Sequence, residues 1–513
     1  MKLHLKQTMK PHPFPSAALR LHPDDDVGVL RRAVPAGLLA SDGGPSIPVL
    51  RDLPAGHKIA LHPVALHAPV RKYGQIIGFA SQPIQAGDHV HTHNLEMREF
   101  DREHTFEEHC RPLAPATTPH TFPGFARPDG RAGTRNYLAV ISTVNCSASV
   151  SKYVAERFRG QRDFPNVDGV IALTHKSGCC IQPGEPMQLL QRVLAGMAHH
   201  PNIAGYVMIG LGCETSRLET IVDDYLLTSP FVMQIQHLGG IRKTVEAGVA
   251  AVAALLPAAN ALRRTPQPVS KLTLAMNCGG SDGYSGITAN PALGVASDEI
   301  VRHGGTSVLA ETTELYGAEH LLTGRAVNAG VAEKLVALIR WWEAHTKLHG
   351  ATLDNNPTFG NKAGGLTTIY EKSLGAVAKA GQAPLVEVYR YAEPIRAPGL
   401  CFMDTPGLDP VSMTGLVAGG CNLGAFTTGR GSVYGCKPAP CLKIATNTAL
   451  YHHMLDDMDI NAGTIMDGTE SVEQVGRRIF EKLFAVAGGE KTKSEAQGLG
   501  DEEFAPWILG PTF

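Results

Sequence analysis

Four apolar runs in this chain each stop at a cysteine. LAVISTVNC ends at Cys146, VIALTHKSGC at Cys179, YVMIGLGCE at Cys213 and KLTLAMNC at Cys278. Runs this short are buried-strand length, and helical periodicity follows over Ser149 to Phe158, Pro186 to Ala198 and Leu293 to Val301. PNVDGVIALTH and PNIAGYVMIGLGC form a near-repeat in which Pro-Asn, a spacer and Gly introduce each strand. Repetition of strand, turn and helix predicts an α/β fold with mostly parallel sheets. Ligands of such sheets bind beyond the carboxyl ends of the strands. The expectation is therefore that Cys146, His175, Cys179, Cys213, Cys278 and Asp282 converge on one edge. Free cysteine is also among the most buried residue types, so core packing accounts equally well for any one of them. Four at strand ends beside glycine, histidine and acid favour a site.

The densest polar chemistry lies in Cys278 to Pro291, CGGSDGYSGITANP, where glycines allow close backbone approach to a ligand and Ser281 and Asp282 face it. Neither GxGxxG nor GxxxxGK[ST] stands between a strand and a helix, so dinucleotide and nucleoside triphosphate sites lack their fingerprints. Lys and Arg number 46 against 48 Asp and Glu, a net charge of -2 that gives no electrostatic case for nucleic acid or an anionic membrane. The 10 cysteines are scattered over 513 residues, as reduced thiols or ligands in a cytoplasmic protein would be. No secretory pattern opens the sequence, and the alanine-rich stretch Ala247 to Leu262 is short for a membrane span.

The chain divides into a small β domain over 1–97, a linker over 98–122, a first α/β domain over 123–268 and a second over 269–513. In the first, Pro-Ala-Gly turns or their like recur between short apolar runs. His57 and Lys58 offer a proton-transfer group beside a cation, and Lys72-Tyr73-Gly74 sits at a turn. His89, His91 and His93 alternate, which puts them on one strand face; that suits a metal and equally a hydrated polar face.

Further on, TSVLAETTEL predicts a strand ending at Glu311 and Glu314, and the segment Glu333 to His345 a helix carrying Trp341 and Trp342 in the core. Asn356, Asn361 and Lys362 around glycines suit a polyhydroxy acid, or a plain solvated loop. FTTGRG places Arg430 for bidentate carboxylate binding, whereas Cys401, Cys421, Cys436 and Cys441 read as structural thiols.

GHKIAL, KYGQIIG, RPDGRAGTRNY, TVNC, GLGCE, CGGSDGYSGITANP, GNKAGG, FTTGRG and DINAGTI, in that order, resemble the altronate and galactarate dehydratases over nearly the whole chain. The resemblance implies an N-terminal SAF-type β domain, a large α/β catalytic region and iron(II)-dependent loss of water to a 2-keto-3-deoxy acid. HVHTHNL and ELYGAEHLL are closer to the altronate branch, so D-altronate is the expected substrate and galactarate the alternative. Thr358-Phe359 and Cys180 depart from the usual family residues. Such a dehydration needs a base for the C2 proton, an acid or Lewis acid for the C3 hydroxyl and stabilisation of the enediolate. The expected ligand pool is Cys146, His175, Cys179, Cys213 and Cys278, completed by Asp282 or Glu311. His175 is the first choice of base, with His57 and Lys58 as rivals. Tyr73, Arg135, Asn136, Ser281, Asn290, Asn361, Lys362 and Arg430 are expected to hold the sugar acid. A thiol-rich pool also permits an iron–sulfur cluster, or another divalent metal. A non-catalytic sugar-acid sensor is the reading from a different class, and a homodimer the candidate assembly.

Overall fold

The computed structural model describes residues 12–40, 46–100, 106, 110–229 and 231–512. Part of the expected linker, 101–105 and 107–109, lies outside them. Its end does not: Thr121–Ala126 pairs antiparallel with Arg264–Pro268 and with Ala132–Gly133, tying the two ends of the middle domain together.

The N-terminal domain is three small sheets of short strands joined by the recurring turns. In the sheet that matters for function, Ala18–Leu19, Val27–Leu30, Lys58–Ala60 and His89–Val90 lie side by side, antiparallel. Only His89 and Val90 are in the last strand, so His91 and His93 sit in the turn that follows and not along one strand face.

Two parallel sheets follow. The middle one holds β1 (Tyr137–Ser142), β2 (Gly169–Leu173), β3 (Ile203–Gly210) and β4 (Val232–Gln234) in the order β2-β1-β3-β4. The other holds seven strands: β5 (Thr273–Cys278), β6 (Thr306–Leu309), β7 (Leu385–Tyr389), β8 (Gly399–Met403), β9 (Leu423–Thr428), β10 (Cys441–Ala445) and β11 (Ile460–Asn461), in the order β7-β8-β6-β5-β9-β10-β11. From β5 the chain first builds towards β7, then returns to build from β9 to β11. The direction of winding therefore reverses between β5 and β9, the position at which doubly wound sheets open a crevice.

Helices cover these sheets where the sequence places their caps and stripes. Ser471 and Gln474 form a reciprocal capping box that starts Val472–Ala487, whose Val475, Ile479, Leu483 and Val486 recur at helical spacing and are buried. This helix packs on Ala289–Arg302, with Gly476 against Val295. Ile241–Ala261 is long and apolar enough by composition to cross a membrane; it buries Gly248, Ala251, Val252 and Leu256 against the middle sheet. Trp342 is fully buried and donates from Nε1 to Asp404 at 2.8 Å.

The four strand-end thiols thus belong to two sheets. One apolar cluster unites the faces of the two sheets that pack together, from Ala139 and Ile141 to Ala275, Val308 and Met403. Another runs from the seven-stranded sheet into the N-terminal domain, joining Leu274 and Met276 to Val27, Ala60, Val70 and Ile77. The small domain is seated on the C-terminal one by shared core. Cys401, Cys421, Cys436 and Cys441 are buried.

Candidate active site

Three loops meet backbone to backbone beyond the carboxyl end of β5. A Cβ on Gly283 would lie 2.0 Å from the carbonyl oxygen of Gly56, and one on Gly365, at φ +101°, would lie 2.5 Å from the same atom. Only glycine permits these approaches, which explains GGSDG, AGH and AGG on three distant segments. The amide of Gly283 donates to Gly364 at 2.8 Å, and the Tyr284 hydroxyl donates to the carbonyls of Leu30 and Arg31.

At this junction stand three imidazoles. The small sheet pairs Ile59 with His89 and Lys58 with Val90; continuing that antiparallel register by one residue sets His57 opposite His91. His57 Nδ1 lies 2.9 Å from His89 Nε2, and the coordinating nitrogens of His57, His89 and His91 all fall within 4.8 Å of one another. The second domain closes the group from above: His91 Nε2 lies 2.8 Å from the carbonyl oxygen of Lys362, and His57 Nε2 3.3 Å from that of Ala363. Burial, reinforced by its neighbours His91 and Lys58, brings His57 down to about 4; burial with His57 and His91 brings His89 to about 3. Both are neutral around pH 7. Sequence reasoning weighed HxHxH as one strand face and so paired the wrong three; the cross-strand register with GHK is the missing information.

Behind the imidazoles lies a sealed ion triad. Lys58 and Lys72 each bond one oxygen of Glu371, at 2.8 and 2.9 Å, with no side-chain exposure on any of the three. Lys58 also donates to Gly365 O at 2.6 Å, and Thr367 donates to Glu371 at 2.7 Å. Burial would raise Glu371, but the two ammoniums outweigh it and hold it near 2. Lys58 is lowered by burial to about 8. Enclosed in this way, Lys58 orders the 364–365 turn and does not face a substrate.

The groups left to meet an anion are Arg430, Lys362 and Ser281. Arg430 follows β9 and is exposed; its guanidinium makes no hydrogen bond or ion pair among the described residues. Its Cδ would lie 3.3 Å from a Cβ on Gly364, next to Lys362. Ser281 Oγ is buried without a hydrogen-bond partner, beside a carbonyl that accepts from Asn361 Nδ2 at 2.9 Å. Asn361 is otherwise the capping partner of Thr358 at the start of Phe359–Ala363, so it shapes the loop that carries Lys362.

Several expected residues act elsewhere. Asp282 accepts from Thr446, Asn447, Ser285 and the Tyr284 amide, which fixes the glycine-rich turn in place of completing a metal shell. Cys278 and Glu311 lie together with Glu314, but an ammonium already occupies the gap between the first two: Lys379 Nζ is 2.8 Å from Cys278 Sγ and 3.1 Å from Glu311. Burial pushes the Cys278 thiol up to about 12, so this group does not suit a metal without displacing Lys379. His175 bonds Ser142 O at 3.0 Å and the Ser177 amide at 3.2 Å, and burial lowers it to about 4; it braces loops of the middle sheet, away from the junction. Arg135 spends its guanidinium on Glu495 and the carbonyls of Thr134, Val486 and Glu490. The side chain of Asn136 is taken by Asn166, Ala259 and Arg127, and that of Asn290 by Gly375 and Thr427. Tyr73 packs its hydroxyl against Gly286 and Gly375. None of these four reaches the junction with a free polar atom. Cys146, Cys179 and Cys213 stand on the middle sheet and are exposed. The single convergence expected from sequence is therefore three separate places.

Three family models match in succession: the SAF domain of altronate/galactarate dehydratases over residues 16–98, the second domain of D-galactarate dehydratase/altronate hydrolase over 124–260, and the D-galactarate/altronate dehydratase C-terminal domain over 269–512. The altronate dehydratase of Bacillus subtilis is 36% identical over 482 residues, 93% of this chain and 96% of that protein. The altronate dehydratase of Escherichia coli is 33% identical over 479 residues, 93% of this chain and 96% of that protein. The L-threo-forming galactarate dehydratase of Escherichia coli is 36% identical over 505 residues, 94% and 95% of the two chains. With the SAF-type domain seated on the edge of a seven-stranded parallel sheet and likeness running end to end, the chain belongs to the altronate/galactarate dehydratase family of sugar-acid hydro-lyases.

Proposed function

We propose that this chain removes water from D-altronate, giving 2-dehydro-3-deoxy-D-gluconate, at the junction of the SAF-type and C-terminal domains. The observation that carries the reading is the juxtaposition there of three neutral imidazoles with the unpaired Arg430 and with Lys362. Arg430 offers a planar fork to the carboxylate, and Lys362 a point charge beside it. Ser281 Oγ, buried with no partner, is satisfied by a sugar hydroxyl. One of the imidazoles takes the C2 proton. At about 4 and 3, His57 and His89 are weak acceptors in the unliganded protein. A carboxylate entering among them raises them towards the operating pH, because a nearby anion favours the protonated ring.

Iron(II), the metal that the family resemblance implies, fits the same trio: imidazole nitrogens within 4.8 Å of one another and held neutral are ligands of the right type and state. Held by two of His57, His89 and His91, it would supply a Lewis acid for the carboxylate or the leaving hydroxyl and leave the third imidazole free to take the proton. D-altronate is placed ahead of galactarate by HVHTHNL and ELYGAEHLL, the first of which contains His89, His91 and His93.

The test is a panel of aldonates and aldarates incubated with purified protein and iron(II), scored for semicarbazide-reactive keto acid. D-altronate is expected to give the highest kcat/KM. Higher activity on galactarate reverses the substrate assignment, and binding of every acid without keto-acid release overturns the enzyme reading.

A further inference from the structure

The exposed thiols of the middle domain form a group that the dehydratase site leaves unused. Among the described residues four cysteines are exposed, and all four belong to this one rim: Cys146, Cys179, Cys180 and Cys213. Exposed free cysteine is unusual, and core packing does not explain it. They stand on the loops that follow β1, β2 and β3, adjacent strands in the sheet. Cys146, Cys179 and Cys180 line one cavity. The Thr215 amide and hydroxyl both donate to the Cys179 carbonyl, at 3.1 and 2.9 Å, which brings the loop of Cys213 to that of Cys179.

Buried polar residues build these loops. His175 bridges Ser142 O and the Ser177 amide, linking the Cys146 and Cys179 loops from below. Glu214, also buried, accepts from the amides of Leu211 and Gly212 and from Thr143 Oγ1, linking the Cys213 and Cys146 loops. Gly178, at φ +110°, lets the Cys179 loop lie on Thr143, whose carbonyl oxygen would be 2.8 Å from a Cβ there. Buried hydrogen-bonded groups of this kind serve to fix what they surround.

We infer that Cys146, Cys179 and Cys213 are the protein ligands of an iron–sulfur cluster, held apart from the dehydratase site. The donor set is all sulfur, since His175 and Glu214 are both spent on the backbone, and all-sulfur sets select iron–sulfur clusters or zinc. Spacing decides between them. The imidazole trio and the Cys278 group each bring three donor atoms within 4.8 Å of one another, but no three of these thiols do so. A single ion needs the tighter shell, whereas a cluster places its own atoms between the thiolates. The assignment is independent of which sugar acid is dehydrated and of which residues dehydrate it.

The full-length chain, purified anaerobically and treated with ferrous iron, inorganic sulfide and a thiol reductant, decides the question. Wild type is expected to retain acid-labile sulfide in near-equal amount to cluster iron, to turn brown, and to give a paramagnetic signal on reduction. Cys146→Ser, Cys179→Ser and Cys213→Ser should each abolish these signals while melting, before reconstitution, at the temperature of cluster-free wild type, and His89→Ala should keep the signals. Iron without sulfide, zinc in its place, or sulfide retained in the triple serine variant overturns the assignment.

Discussion

The carboxyl edge of the seven-stranded sheet is roofed by the small β domain, whereas the corresponding edge of the four-stranded sheet leaves its thiols exposed. Under the roof, charge is compensated internally: Lys58, Glu371 and Lys72 neutralise one another with no exposure, and Lys379 sits between Cys278 and Glu311. On the open edge the buried His175 and Glu214 bond backbone, and among the described residues no lysine or arginine bonds a thiol there. A covering domain turns strand-end residues into an enclosed site where electrostatics are strong; an uncovered edge keeps donors available to something delivered from solution. Two parallel sheets of one chain thus give the same position different surroundings.

The contrast breaks most sharply at the imidazoles. His57→Ala, His89→Ala and His91→Ala should each lower kcat/KM for D-altronate by at least about 100-fold, the range for loss of a positioned proton-transfer group. Iron content in each variant separates a ligand from a proton acceptor: an acceptor variant keeps its metal and loses kcat. Behind them, Glu371→Gln leaves two ammoniums facing each other without a carboxylate. It should cost about 3–5 kcal/mol in urea unfolding. The same carboxylate sets an acid limit. Glu371 is held near 2, below the usual carboxylate value of 4.5 that it regains on unfolding. Its contribution is therefore complete above about pH 4.5 and lost as pH falls from there towards 2. The Glu371→Gln variant should lack this part of the acid dependence, which a pH series of melting curves would show.

Arg430→Ala tests the anion clamp. Loss of a hydrogen bond to a charged group, about 1.5–3 kcal/mol, should raise KM by at least about tenfold, with Arg430→Lys recovering part of it. The smallest effect belongs to the open edge. Cys146→Ser changes an exposed side chain and, measured on cluster-free protein, should alter stability by no more than about 0.5 kcal/mol.

Much of this architecture is legible in the sequence because local pattern carries it. Apolar runs before glycine turns mark the strands, and the Ser471–Gln474 box marks a helix start. What local pattern does not carry is partnership between distant segments. LAVIS, VIAL, YVMIG and KLTLAM look alike, and only long-range pairing assigns the first three to one sheet and the fourth to another. Hence the expected pooling of Cys146 with Cys278 fails. Arg135, Asn136 and Asn290 look like ligand-binding residues in sequence because buried structural polar groups use the same side chains; their partners, such as Glu495 and Thr427, lie far away in the chain. The imidazole site fails to show for the same reason, since His57 meets His91 only across a strand register.

The measurement that bears most directly on the account is keto-acid release from D-altronate by His89→Ala supplied with iron(II), beside wild type under the same conditions. With folding verified by an unchanged melting curve, the account predicts at least a 100-fold loss, as expected of a proton-transfer or metal-holding group. Undiminished turnover in that variant would contradict it, and would move the chemistry away from the junction of the SAF-type and C-terminal domains.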